Sequence, residues 1–106
     1  MSNHSTAHAI LDALGDPMRR SITETLGGGA LPVGELADRL PIGRPAVSKH
    51  LRVLENAGLV EHTSIGTRNL YALAPGGLAA VQVWLTETWD DALSSFARHL
   101  ENGAGS

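Results

Sequence analysis

The sequence predicts one mainly α-helical domain with a single small β-hairpin, in the order helix, helix, helix, helix, hairpin, helix. Three observations carry this. Apolar residues return at steps of three and four through most of the chain, which places them on helical stripes. That period is interrupted once, after Gly58, by two short runs rich in β-formers. The breaks between segments fall on glycine, proline or an Asp-Pro pair, residues that end or restart helices. At 106 residues and 42% apolar content the chain has the size of one domain and enough apolar side chains for a packed core.

Residues 4–14 carry Ala7, Ile10, Leu11 and Leu14 on one stripe, and Gly15 breaks this first helix. Asp16 then offers a capping carboxylate, and Pro17 takes a first helical position where its missing N–H costs nothing. Met18, Ile22 and Leu26 form the buried side of the second helix, which three successive glycines from Gly27 terminate. A short third helix over residues 33–40 shows Val33, Leu36, Ala37 and Leu40 before Pro41 stops it. The fourth helix runs from about Arg44 to Ala57, with Gly43 as N-cap, Val47, Leu51 and Leu54 facing inward, and Gly58 as a left-handed exit. Residues 59–63 and 68–73 are the hairpin strands, separated by residues 64–67. Pro75, Gly76 and Gly77 lead into a long last helix, residues 76–101, with the stripe Leu78, Val81, Leu85, Trp89, Ala92, Leu93, Phe96 and Leu100. Val83 and Trp84 lie off that stripe, so packing one face on the monomer leaves apolar surface for a second subunit. Residues 1–4 and 102–106 are expected to be disordered.

The absence of cysteine excludes disulfides, thiolate metal sites and cysteine nucleophiles. No apolar run approaches the roughly 20 residues that a membrane span needs, and the opening residues lack a signal-peptide layout, so a cytoplasmic protein with no membrane partner is expected. No phosphate-cradling loop, nucleophile elbow or metalloprotease motif is present, and an enzyme is not expected. The net charge of −3 opposes a nucleic-acid partner on average, but the charges are segregated. Residues 41–54 hold Arg44, Lys49 and Arg52 and no carboxylate, while Glu87, Asp90, Asp91 and Glu101 gather near the C-terminus.

Two short helices joined by a glycine-containing turn, residues 33–57, form a helix-turn-helix, and its second helix carries the cations. With residues 59–73 as the wing, the single domain spanning residues 1–106 is a winged helix-turn-helix. A helix in the major groove must offer donors to base edges and cations to phosphates, which Arg44, Pro45, Ser48, Lys49 and Arg52 project outward to do. Arg68, in the wing, is placed to meet phosphates or the adjacent minor groove, while His62 reads as a half-exposed packing residue. The competing reading is a winged-helix module that binds protein without specific DNA binding, which the acidic balance favours.

The segments LGDPMRRSITETL, LPVGELADRLPIGRPAVSKHLRVLENAGLV and RNLYAL, in this order and spacing, resemble the ArsR/SmtB family of winged-helix repressors over roughly residues 10–75. The resemblance implies repression at an inverted-repeat operator in double-stranded DNA. It also implies a homodimer built from the first and last helices, here Ile10, Leu11, Leu14, Trp89, Leu93 and Phe96, and often release by a metal or another small effector. Ser48, Lys49 and His50 fall at the family's polar recognition positions. Pro32 and Gly34 stand where family members that sense soft metals carry cysteines. A second family ligand set, across the paired last helices, is also unsupported: with His99 as its histidine, Thr86, Thr88 and Asn102 fill the other positions. No metal is required; His4 and His8, four residues apart, are the candidate ligands for a nickel or zinc effector.

Overall fold

In the computed structural model, which describes residues 3–104, α1 (Ser5–Ala13) and α2 (Pro17–Leu26) meet in a short turn built around Asp16. Asp16 Oδ1 accepts hydrogen bonds from the backbone amides of Met18 at 2.8 Å and Arg19 at 3.1 Å, satisfying two donors that α2 leaves open. Arg19 and Arg20 reach backwards. Arg19 Nε donates to the Ala13 carbonyl at 2.6 Å and Arg20 Nη1 to the Leu14 carbonyl at 2.8 Å. Both guanidinia therefore close the C-terminus of α1, where carbonyls lack partners and the helix dipole is negative.

Strand β1 (Leu31–Pro32), α3 (Val33–Asp38) and α4 (Arg44–Ala57) follow, then β2 (Val60–Ile65), β3 (Arg68–Leu73) and α5 (Pro75–Ala104). The sheet is antiparallel in the order β1-β3-β2, with Leu31 opposite Tyr71 and Pro32 opposite Leu70. β1 is an addition to the predicted order. Its proline is tolerated because it lies on an edge. The hairpin is also longer than expected: Ser64 pairs with Asn69 and Ile65 with Arg68, leaving a two-residue loop. Gly66, at φ +62°, permits that tight loop, so pairing extends to the tip.

Each helix of the body contributes to one core. Ile10, Ile22, Leu36, Val47, Leu51, Leu54 and Leu59 are fully buried, with Met18, Val33, Ala37, Leu40, Tyr71 and Leu73 packed around them. Gly58 ends α4 at φ +93°, the left-handed exit its residue type predicts. α5 then crosses very close to that exit. A Cβ on Gly77 would fall on the Gly58 carbonyl oxygen and come within 3.2 Å of Ile10 Cδ1, so the crossing needs glycine.

Past this crossing α5 leaves the body. Val81 still touches the core, and Trp84 is half-buried, edge-on to His8 with ring centroids 6.2 Å apart. From Leu85 to Gly103 every residue is exposed. The molecule is correspondingly elongated, 67 × 30 × 20 Å. Among the described residues no helix is long and apolar enough to cross a membrane.

The ends differ from the expected disorder where they are described. Asn3 Oδ1 accepts from the Ser5 amide at 3.0 Å, and His4 Nε2 lies 2.9 Å from Glu87 Oε2. α5 continues through residues 102–104, since extending an established helix costs far less than starting one. Residues 1–2 and 105–106 lie outside the described residues.

Candidate nucleic-acid interface

With Val47, Leu51 and Leu54 fully buried, the remaining positions of α4 divide into three sides. Pro45, Lys49 and Arg52 are exposed and point away from the body. Arg44 and Ser48 are exposed on the flank nearest the hairpin. His50, read as a recognition residue, is instead half-buried on the flank facing α2. It sits close enough to Asp16 for its positive charge, when protonated, to favour the ionised carboxyl. Asn56, which is not among the sequence-predicted contacts, is exposed one turn beyond Arg52 on the outward side. Its spacing from Arg52 was the available signal.

Asp16 itself has its pKa lowered below its ordinary value of 3.8. The hydrogen bond from the Arg19 amide is the chief cause; partial burial opposes it, and the Met18 amide and the charges of Arg19 and His50 add to it. A charged cap at the start of α2 thus stands beside the His50 flank of α4.

Arg68 is exposed at the root of the hairpin tip, and its Nη2 lies 3.6 Å from Glu35 Oε1 of α3. Between α3, the start of α4 and the hairpin lies a cleft of about 430 Å³, whose lining includes Arg44, Ser48, Thr67, Arg68, Glu35 and Asp38. Gly34 matters here. Its missing side chain leaves the space occupied by the Arg44 guanidinium, into which a Cβ would project. His62 braces the other side of the hairpin: its ring lies 5.3 Å from that of Tyr71, and Nδ1 pairs with Glu55 of α4. This agrees with its reading as a packing residue and fixes the wing against the reading helix.

A cationic helix face beside a rigid hairpin can engage a duplex over two adjacent grooves, with donors at base edges and arginines at phosphates. Trp89, Leu93 and Phe96, assigned to a subunit interface, are indeed exposed, at 61%, 48% and 58% of their accessible surface. Ile10 is not available for that role. It is fully buried in the monomer's own core, because the stripe Ala7, Ile10 and Ala13 is the side of α1 turned inward. Leu11 and Leu14 are half-buried on its margins.

His4 and His8 lie together, ring centroids 6.3 Å apart, but His4 is engaged with Glu87 and His8 with Trp84. Among the described residues no group of three or more His, Cys, Asp or Glu side chains is arranged to hold an ion.

Comparison with known proteins covers the same elements. A family model described as a helix-turn-helix domain matches residues 5–63. The HTH-type transcriptional regulator Rv2034 of Mycobacterium tuberculosis is 45% identical over 96% of this chain and 95% of its own length. An ArsR-like transcriptional regulator from Rhodococcus sp. RHA1 superposes with a TM-score of 0.73 at 30% identity, covering 88% of this chain and 91% of that one. The homodimeric winged helix-turn-helix DNA-binding domain Mb0332 of Mycobacterium bovis, described as a possible ArsR-family regulator, superposes with a TM-score of 0.66 at 26% identity, covering 81% and 80%.

Proposed function

This chain belongs to the ArsR/SmtB family of winged helix-turn-helix transcriptional regulators, and from that premise we propose that it represses transcription as a homodimer seated on an inverted-repeat operator. The observation that carries this reading is the outward side of α4. There Pro45, Lys49 and Arg52 stand free of the core, with Ser48 beside them and no carboxylate anywhere in residues 41–54. Lys49, Arg52 and Ser48 supply the major-groove and phosphate contacts, and Arg44 and Arg68 hold the backbone on the wing side. His50 is left out of the contact set, since it faces α2.

The second half of α5 supports the dimer. Leu85, Trp89, Leu93, Phe96 and Leu100 line one exposed side of an arm that has no body beneath it. An apolar stripe of that length, left to water, calls for a partner surface, and a second copy brings an identical one. The M. bovis neighbour, which matches this fold over 81% of the chain, is described as homodimeric. Two copies related by a twofold axis present two α4 helices to half-sites about 34 Å apart, one turn of DNA. No metal enters this mechanism.

Binding to the protein's own promoter fragment, followed by fluorescence anisotropy at several salt concentrations, tests the reading. Saturable binding that weakens steeply with salt is expected. The variant carrying Lys49→Ala and Arg52→Ala should lose specific binding, with the log–log salt slope shallower by about two. Unchanged affinity would remove α4 from the interface. Binding no better than to random DNA would favour a protein-interaction module, and a change on adding nickel or zinc would restore His4 and His8 as effector ligands.

A further inference from the structure

We propose that the cleft between α3, the start of α4 and the hairpin seats one phosphate of the DNA backbone, and that Glu35 stands in for that phosphate by holding Arg68 until DNA displaces it. The proposal rests on the DNA-binding reading above and adds a site and a competitor to it.

The position follows from the docking geometry. A reading helix in the major groove and a hairpin at the neighbouring minor groove lie on either side of one sugar-phosphate strand, so that strand runs between them. The cleft occupies that place. Its lining offers two guanidinia, from Arg44 and Arg68, and two hydroxyls, from Ser48 and Thr67. Phosphate and carboxylate are alternative partners for the same arginine fork.

The free protein has already supplied the carboxylate. Arg68 Nη2 and Glu35 Oε1 are 3.6 Å apart, and both side chains are more than half exposed. Such a loose, solvated pair is weak and readily exchanged. Gly34, one residue before Glu35, leaves room for the Arg44 guanidinium on the same turn of α3, so Arg44 lines the cleft together with Arg68. Asp38 adds a second carboxylate, so two negative side chains balance two positive ones. A free anion gains little from a balanced site. A phosphate delivered by docked DNA, with the α4 contacts already made, gains Arg68 and leaves Glu35 to water.

The experiment uses the full chain and the tightest duplex that the wild-type protein selects from a random library. Glu35→Gln should tighten binding about two- to fivefold at low salt, the range expected for releasing one exposed ion pair. In an Arg68→Ala background that gain should shrink to the smaller one expected for loss of a cleft charge alone. Asp38→Asn, which removes the same charge from the cleft without touching that pair, should give a smaller gain that survives Arg68→Ala. An equal gain from Glu35→Gln in both backgrounds would mean general repulsion of DNA and overturn the proposal. Weaker binding by Glu35→Gln would mean that Glu35 positions Arg68 for DNA, and would also overturn it. Should the wild-type chain select no duplex at all, the DNA-binding reading and the proposal fail together; failure of the proposal alone leaves wild-type selection intact.

Discussion

α4 and the distal half of α5 carry the same sequence signal and meet opposite fates. Val47, Leu51 and Leu54 recur at helical spacing and are at most 1% exposed, whereas Leu85, Trp89, Leu93, Phe96 and Leu100 recur the same way and are 48–61% exposed. Periodicity states that a face is to be covered; it does not state by which chain. The side of α5 that touches the body is a different one, marked by Gly77, Val81 and Trp84. Beyond Trp84 that second side turns polar, with Thr88, Asp91, Ser95 and Asn102, while the apolar stripe continues. A helix whose body-facing side becomes polar while another stays apolar has exchanged an intramolecular partner for an intermolecular one.

Substitutions in the two stripes should therefore separate folding from assembly. The largest effect is expected from Leu51→Ala, which opens a cavity among Ile22, Leu36 and Leu54 and should cost about 2–5 kcal/mol in denaturant unfolding. The chain should then unfold as a whole, since every body helix shares that core. A loss well under 1 kcal/mol would show that the core repacks freely around α4. Leu93→Glu with Phe96→Glu should instead leave the body folded and weaken the dimer about a hundredfold or more, two central apolar anchors being lost together. Sedimentation velocity should show a monomer whose far-UV signal matches a helical fold, and operator binding should fall with it. The wild-type melting temperature should rise with protein concentration while that of the variant should not, because only the wild type gains stability by mass action. A stable dimer after both substitutions would place the interface elsewhere.

The same contrast explains how much could be read from the sequence. Helix limits were legible where capping chemistry is local: Asp16-Pro17 opens α2, and Gly43 and Gly58 bracket α4. The cationic face of α4 was legible because burial of Val47, Leu51 and Leu54 dictates what points outward. β1 was not, since two residues have no period and Pro32 looks like a breaker. That short strand has a large consequence. Pairing Leu31 with Tyr71 sets α3 beside the hairpin and so brings Glu35 to Arg68, two residues with no local relation in the chain. The family resemblance implies an interface on the first helix, but an amphipathic helix announces an apolar side without saying which of its residues faces inward, and Ile10 is one that does. His50 was carried by its place in a family pattern, and only the packing of α4 on α2 shows which way it turns.

The smallest effect concerns the cap on which α4 leans. Asp16 has a pKa lowered by the Arg19 and Met18 amides, so folding favours its ionised form. The sign follows from linkage: a depressed folded pKa gives stability that is fully present above the unfolded value, near 3.8, and is lost as pH falls through the lower folded value. Melting temperatures of wild type and Asp16→Ala, compared from about pH 7 to pH 3, should differ by a constant amount above about pH 5 and converge at the acidic end. Asp16→Asn keeps a capping oxygen without the charge, so its deficit should be smaller than that of the alanine variant at neutral pH. An aspartate-to-alanine gap that stays constant down to pH 3 would mean that folding does not lower the Asp16 pKa, and that neither the amides nor the charges of Arg19 and His50 favour its ionised form. Because the monomer core contains α2 and α4 but not the arm, this effect should appear unchanged in the Leu93→Glu, Phe96→Glu monomer, and a cap effect seen only in the dimer would mean that the two regions are coupled after all.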